Sequence, residues 1–171
     1  MKTERKTEKA LLAGGCFWCL EALYSRVPGV LSVTAGYCGG TAPHPTYEEV
    51  CTGSTGHAET VEVVFDPSII SYEEIIDFFW KFHDPTTLNR QGSDIGEQYR
   101  SAIFYLDTRQ RELAELSKSA AQAAFDRPIV TSIEPAGQFW PAEAWHQKYY
   151  ERNPDAPYCR FVIAPKLAKL R

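Results

Sequence analysis

No stretch of this sequence is apolar for longer than the 11 residues from Ala10 to Leu20, and two of those are glycine. A membrane-spanning helix needs about 20, so neither a span nor a membrane partner is expected. The opening residues, MKTERKTEKA, carry charges of both signs and lack the apolar region of a secretory signal, which points to a cytoplasmic location. Basic residues are in the minority, with 18 Lys and Arg against 22 Asp and Glu and a net charge of −4. That balance argues against nucleic acid as a partner. There is no second Cys-x-x-Cys and no paired-histidine motif to complete a zinc site begun by Cys16 and Cys19. Cys38, Cys51, His44 and His57 are scattered, so no metal is expected, and Cys38 and Cys51 read as structural thiols. Repeats, linkers and low-complexity segments are also missing.

What is present is an ordinary folded chain, 44% hydrophobic and 23% charged over 171 residues. That length suits one domain. Residues 1–171 are therefore read as a single catalytic domain, with 1–8 a flexible N-terminus and about 153–171 a coil-rich tail carrying Cys159. The odd count of five cysteines does not suit a secreted disulfide scaffold. In a reducing compartment such thiols are more often catalytic or metal-binding than structural.

Apolar periodicity predicts the elements in turn. Residues 9–13 read as a short buried strand, 17–26 as a helix and 30–37 as a second strand. Thr46 and Glu49 form a capping box for a short helix, and 59–65 alternates as a strand. Ser71 and Glu74 form a second capping box for a helix over 72–83. The polar loop 84–99 runs to about 15 residues, long enough to suggest function. A strand over 101–106, the longest helix over 108–125 and a strand over 129–133 follow. An aromatic segment, Phe139-Trp140-Pro141, leads to a last helix over 142–150. The mixture favours an α+β fold, a compact two-layer sandwich.

The segment Gly14-Gly15-Cys16-Phe17-Trp18-Cys19 is the most informative. It sets Cys16 after a strand and a Gly-Gly turn, at the first turn of a helix. Free backbone N–H groups and the helix dipole there favour an anion, so a lowered thiol pKa and a nucleophilic thiolate are expected. Cys19 lies one turn on, and the pair can alternate between dithiol and disulfide. Glu59 opens a strand, where its carboxyl could face a cleft. Tyr47, Asp94 and Tyr99 are further polar candidates, each of which taken singly reads as a loop charge or a packing ring.

These residues converge on one family: the chain resembles the A-class peptide methionine sulfoxide reductases. The likeness runs from Gly14 to about Lys166. It rests on Gly15-Cys16-Phe17-Trp18, Pro45-Thr46-Tyr47, Val50-Cys51-Thr52-Gly53 and Thr55-Gly56-His57-Ala58-Glu59. Further markers are Phe65-Asp66-Pro67, Phe82-His83-Asp84-Pro85, the block from Asp94 to Ser101, and His146-Gln147 with Tyr149. The resemblance implies a ferredoxin-like two-layer α/β plait with a mixed sheet and extra loops.

It also implies reduction of methionine S-sulfoxide, free or in proteins, with no cofactor. Cys16 would attack the sulfoxide sulfur while Glu59 supplies a proton to the departing oxygen. Tyr47 and Tyr99 would hydrogen-bond that oxygen, Asp94 would orient the polar end of the substrate, and Phe17 and Trp18 would hold the methyl group. The Cys16 sulfenic acid would condense with a second thiol, and thioredoxin would regenerate the enzyme, expected to be a monomer. Many relatives have Gly where this chain has Cys19, and resolve through a thiol near the C-terminus, the place of Cys159. A disulfide wants Cβ atoms about 3.8 Å apart, against roughly 5–6 Å for helical neighbours. Cys159 is therefore placed first and Cys19 close behind. The alternative activity is that of a general thiol–disulfide oxidoreductase built on Cys16 and Cys19.

Overall fold

The computed structural model describes residues 6–170. Strand β1 (Glu8–Gly14) is its centre and pairs antiparallel with both β3 (Ala58–Phe65) and β6 (Ser101–Tyr105). The side-chain period of two divides β1 cleanly. Ala10 and Leu12 face the main core, while Leu11 and Ala13 join Cys38, Ala58, Ala102 and Phe104 on the opposite face. Two covered faces explain why this strand reads as a near-continuous apolar run.

Beyond β3 lies β2 (Val30–Cys38), antiparallel to it, and beyond that the two-residue β8 (Trp140–Pro141). On the other side β7 (Ser132–Pro135) runs parallel to β6, giving a six-stranded mixed sheet ordered β7-β6-β1-β3-β2-β8. The edge pairing of β8 requires Gly36, because a Cβ there would fall 2.5 Å from the Trp140 carbonyl oxygen.

Helices α1 (Phe17–Tyr24) and α3 (Tyr72–Phe82) bury their apolar sides in the main core. Both expected capping boxes form. Thr46 and Glu49 start α2 (Tyr47–Cys51), and Ser71 and Glu74 start α3, where Ile75, Ile76, Phe79 and Phe82 are buried. The loop 84–99 contains a small hairpin, β4 (Arg90–Gln91) and β5 (Asp94–Ile95), and a 3₁₀ turn over Glu97–Tyr99.

Several expectations are corrected. The longest helix, α4 (Thr108–Ala121), starts on an Asp107 cap and gives way to a 3₁₀ turn over Gln122–Ala124. The strand expected over 129–133 starts at Ser132, because the Val130 N–H donates to the Pro85 carbonyl instead of the sheet. The helix expected over 142–150 is broken by Lys148, which sits in the left-handed region at φ 54. A 3₁₀ turn over Ala144–His146 precedes the break and α5 (Tyr149–Arg152) follows it. The tail expected to be coil carries a π-helical turn, Cys159–Ile163, and α6 (Ala164–Ala168), with Cys159 and Ile163 in the core. Of the expected flexible N-terminus, residues 1–5 lie outside the described residues, and Glu8 already belongs to β1. No helix among the described residues is long and apolar enough to cross a membrane.

Candidate active site

The site begins where β1 runs out. Gly15 turns the chain at φ +93, a conformation that L side chains resist, and its missing Cβ leaves room for Gln91. Cys16 is then the N-cap of α1 in extended conformation, so its side chain leaves the helix axis while Phe17 begins the coil.

The first free N–H of α1, that of Phe17, donates to Glu59 Oε1 at 3.2 Å. Glu59 comes from the start of β3, opposite Tyr37 in the sheet register, and is only 1% exposed. Burial is the largest influence on its carboxyl and, with the nearby Asp94 and Cys19, outweighs the Phe17 N–H. The result is a pKa pushed up to about 8. A carboxylic acid that keeps its proton at neutral pH is a competent general acid.

The expected ionisation of Cys16 is corrected. Its thiol pKa lies well above the ordinary value, first because Cys16 is buried, then because of its bond to the Cys19 thiol and the nearby Glu59. Only the Trp18 N–H acts the other way. An eight-residue helix whose leading N–H is already used by Glu59 does not overcome that desolvation. Cys19 is shifted the other way, its pKa lowered to about 7. The bond from Cys16 is the main cause, and the Lys166 ammonium and the Tyr158 hydroxyl assist against burial. The two thiols are thus hydrogen-bonded to each other and titrate as a pair.

Aromatic rings enclose this unit. Phe17 is fully buried, with its ring 5.7 Å from Tyr37 and 5.0 Å from His146. Trp18 stacks on Tyr149 at 3.7 Å and donates its indole N–H to His146 Nδ1 at 3.0 Å. The His146 ring is 4.5 Å from that of Tyr47 and 3.6 Å from that of Trp145. Burial lowers the His146 pKa to about 4, so the imidazole is neutral at physiological pH. The same burial raises the phenols of Tyr47 and Tyr99, which keeps both as hydrogen donors, and the Glu59 carboxyl acts on each. Tyr99 also feels Cys16 and Asp94.

Cys16, Glu59, Tyr47, Tyr99, Asp94, Cys19, Phe17 and Trp18 thus gather around the start of α1. Cys159 is fully buried and within electrostatic reach of Cys19. Cys51 is exposed and hydrogen-bonded to Tyr47.

Sequence reasoning missed two supports. Glu143 accepts the Tyr37 hydroxyl at 2.9 Å and the Tyr47 N–H at 3.0 Å, which pins two rings. Tyr158 reaches both Asp94 and Cys19. The adjacent Cys159 was the only signal for Tyr158, and nothing in the spacing marked Glu143. No group of His, Cys, Asp and Glu among the described residues is arranged to hold a metal ion. All five cysteines are unpaired. A groove of about 680 Å³ between α4 and β7, lined by Lys118, Gln122 and Thr131, lies away from these groups.

Comparisons with known proteins point to one family. A family model described as peptide methionine sulfoxide reductase matches residues 8–171. The peptide methionine sulfoxide reductase MsrA of Chromobacterium violaceum is 54% identical over 166 residues, covering 96% of this chain and 94% of that protein. The crystal structure of Mxr1 from Saccharomyces cerevisiae in reduced form has a TM-score of 0.86 and 35% identity over 93% of this chain and 92% of that one. Mxr1 in complex with Trx2 is similar at a TM-score of 0.62 and 26% identity, over 87% and 88% of the two chains. With a family match over nearly its whole length, this chain belongs to the peptide methionine sulfoxide reductases.

Proposed function

We propose that this methionine sulfoxide reductase acts on the S epimer, free or within oxidised proteins, through Cys16. As Cys16 attacks the sulfoxide sulfur, it hands its proton along the existing bond to the Cys19 sulfur. Glu59 gives its own proton to the sulfoxide oxygen, a poor leaving group until protonated. Tyr47 and Tyr99 hydrogen-bond that oxygen, Phe17 and Trp18 enclose the methyl group, and Asp94 orients the polar end of the substrate. The substrate S–O bond breaks as that oxygen passes to the Cys16 sulfur, so methionine departs and Cys16, oxidised by the same electron pair that reduces the sulfoxide, is left as a sulfenic acid.

Cys19 resolves that acid first, being already bonded to Cys16, and Cys159 stands next in line behind Cys19. Thioredoxin then reduces the disulfide and no prosthetic group takes part. The complex of Mxr1 with Trx2 supports that partner. The reading is carried above all by the Glu59 carboxyl, 1% exposed and tied to the residue after Cys16.

The strands β6-β1-β3-β2, antiparallel throughout and interleaved with α1 and α3, support a ferredoxin-like plait in a single catalytic domain. Five unpaired thiols support a reducing, cytoplasmic setting. A monomer is the proposed state.

The test is turnover of the separate sulfoxide epimers with dithiothreitol or thioredoxin. Reduction of the S epimer, and its loss in Cys16→Ser, is expected. Insulin reduction without sulfoxide reduction would instead identify a general thiol–disulfide oxidoreductase.

A further inference from the structure

Tyr158 joins the C-terminal segment to two of the site's polar groups, Asp94 and Cys19. Its hydroxyl donates to Asp94 Oδ2 at 2.7 Å, a short bond to a carboxylate of the β4–β5 hairpin. The same oxygen lies 3.6 Å from Cys19 Sγ, within sulfur hydrogen-bond range. Its ring meets Trp18 edge-on at 5.8 Å, which fixes the phenol over the first turn of α1. A hydroxyl has one hydrogen and two lone pairs. While that hydrogen is given to Asp94, the oxygen is free to accept from a Cys19 thiol. Once it is turned to Cys19, it stabilises a thiolate.

We propose that Tyr158 is a positioning residue of the resolving step, holding the Cys19 sulfur toward Cys16 and conducting its proton to Asp94. This rests on the reading that Cys19 resolves the sulfenic acid. In that step the Cys19 sulfur attacks the Cys16 sulfur, an S–S bond forms and the Cys16 S–O bond breaks. Cys19 is oxidised and Cys16 reduced by the same electron pair. The Cys19 proton passes to the Tyr158 oxygen as the phenol proton passes to Asp94. Glu59, which regains from solvent the proton it gave in the first step, protonates the departing hydroxide, which leaves as water, and Asp94 returns its proton to solvent. The sum is one thiol and one sulfenic acid giving a disulfide and water.

The groups facing Cys19 are Cys16, Glu59, Asp94, Tyr158, Cys159 and Lys166. Lys166 from α6 is the cation among them and favours ionisation, while burial and the Asp94 carboxylate oppose it. A donor hydroxyl beside the sulfur therefore has its greatest effect near neutral pH, where Cys19 is part-ionised. Removing it should raise the pH at which Cys19 becomes a thiolate.

The experiment is a single turnover of the full chain with methionine S-sulfoxide and no reductant. Methionine release and disulfide closure are followed together from pH 6 to pH 9.5 in wild type, Tyr158→Phe and Cys19→Ser. Phenylalanine keeps the ring against Trp18 and removes only the hydroxyl. The expected result is a closure rate, relative to methionine release, about tenfold lower in Tyr158→Phe at pH 7, the loss of one hydrogen bond to a charged group. That deficit should disappear above about pH 9, where Cys19 ionises without help. A merely structural loosening of the tail would slow closure equally at every pH, and that result would overturn the proposal. So would wild-type closure in Tyr158→Phe at pH 7, with Cys19→Ser stalled at the sulfenic acid. Closure in Cys19→Ser at the wild-type rate would instead remove Cys19 as the resolving thiol, and the role of Tyr158 with it.

Discussion

Replacing Glu59 by Gln separates proton donation from every other contact the side chain makes. The amide keeps an oxygen to accept the Phe17 N–H and nearly the same volume in a site with 1% exposure. What it loses is the proton. A general acid usually contributes about 10²- to 10⁴-fold, so the rate of methionine release should fall by roughly that factor. The pH dependence fixes the cause. Glu59 is active when protonated, so the wild-type rate should fall as pH rises through about 8. On the acid side the rate should rise as Cys19 ionises near 7. Glu59→Gln should keep the rising limb and lose the falling one.

Stability gives a second, independent reading of the same group. Folding moves its pKa from the ordinary 4.5 to about 8, which corresponds to a penalty of order 5 kcal/mol on the charged form. A carboxyl raised on folding leaves stability intact below 4.5 and removes it progressively as pH climbs toward 8. Glu59→Gln is free of that loss. It should match wild type near pH 4.5 and exceed it by about 3 kcal/mol at pH 7 in urea denaturation. First-turnover kinetics from about pH 5.5 to 9.5 and denaturation from about pH 4.5 to 8 measure the two effects. Activity within threefold of wild type, or a falling limb that survives the substitution, would refute the assignment of Glu59 as the acid.

Two further perturbations address the scaffold. Gly15→Ala should destabilise by about 1–3 kcal/mol and lower kcat/KM, because φ +93 is strained for alanine and its Cβ would meet Gln91 at 2.6 Å; a denaturation midpoint equal to wild type would contradict this. His146, with a pKa lowered from 6.5 to about 4, should stay neutral in NMR titration until well below pH 5. The stability it supports should decline as pH falls from 6.5 toward 4, since the unfolded imidazole takes up its proton first.

Local signals placed the centre of the site and little of its surroundings. The Gly-Gly turn after an apolar strand located Cys16, and the alternation of Glu59–Phe65 put a carboxyl at a strand start. Two capping boxes fixed α2 and α3, because both partners of each box lie within four residues. The ionisation of Cys16 was not legible in the same way. It depends on burial and on Glu59, which arrives from 43 positions away along the chain, whereas the helix-start argument uses only neighbours. The break at Lys148 was also invisible, because it satisfies distant demands. Gln147 binds the Ala35 backbone through both its oxygen and its nitrogen, and Glu143 pins Tyr37 and Tyr47. A continuous amphipathic helix over 142–150 does not combine these with the observed turn. The coil-rich tail turned out to be packed for a similar reason. Cys159 and Ile163 find apolar cover only once the core has formed.

The claim on which the rest depends is that Cys16 removes the sulfoxide oxygen and is then covalently captured by a neighbouring thiol. Reduced enzyme mixed with excess methionine S-sulfoxide, without reductant, and digested after alkylation tests it directly. One methionine per chain and a disulfide containing Cys16 are predicted, with Cys19 as its partner. A chain that releases no methionine, or whose Cys16 is still alkylated in full after the reaction, would contradict the account.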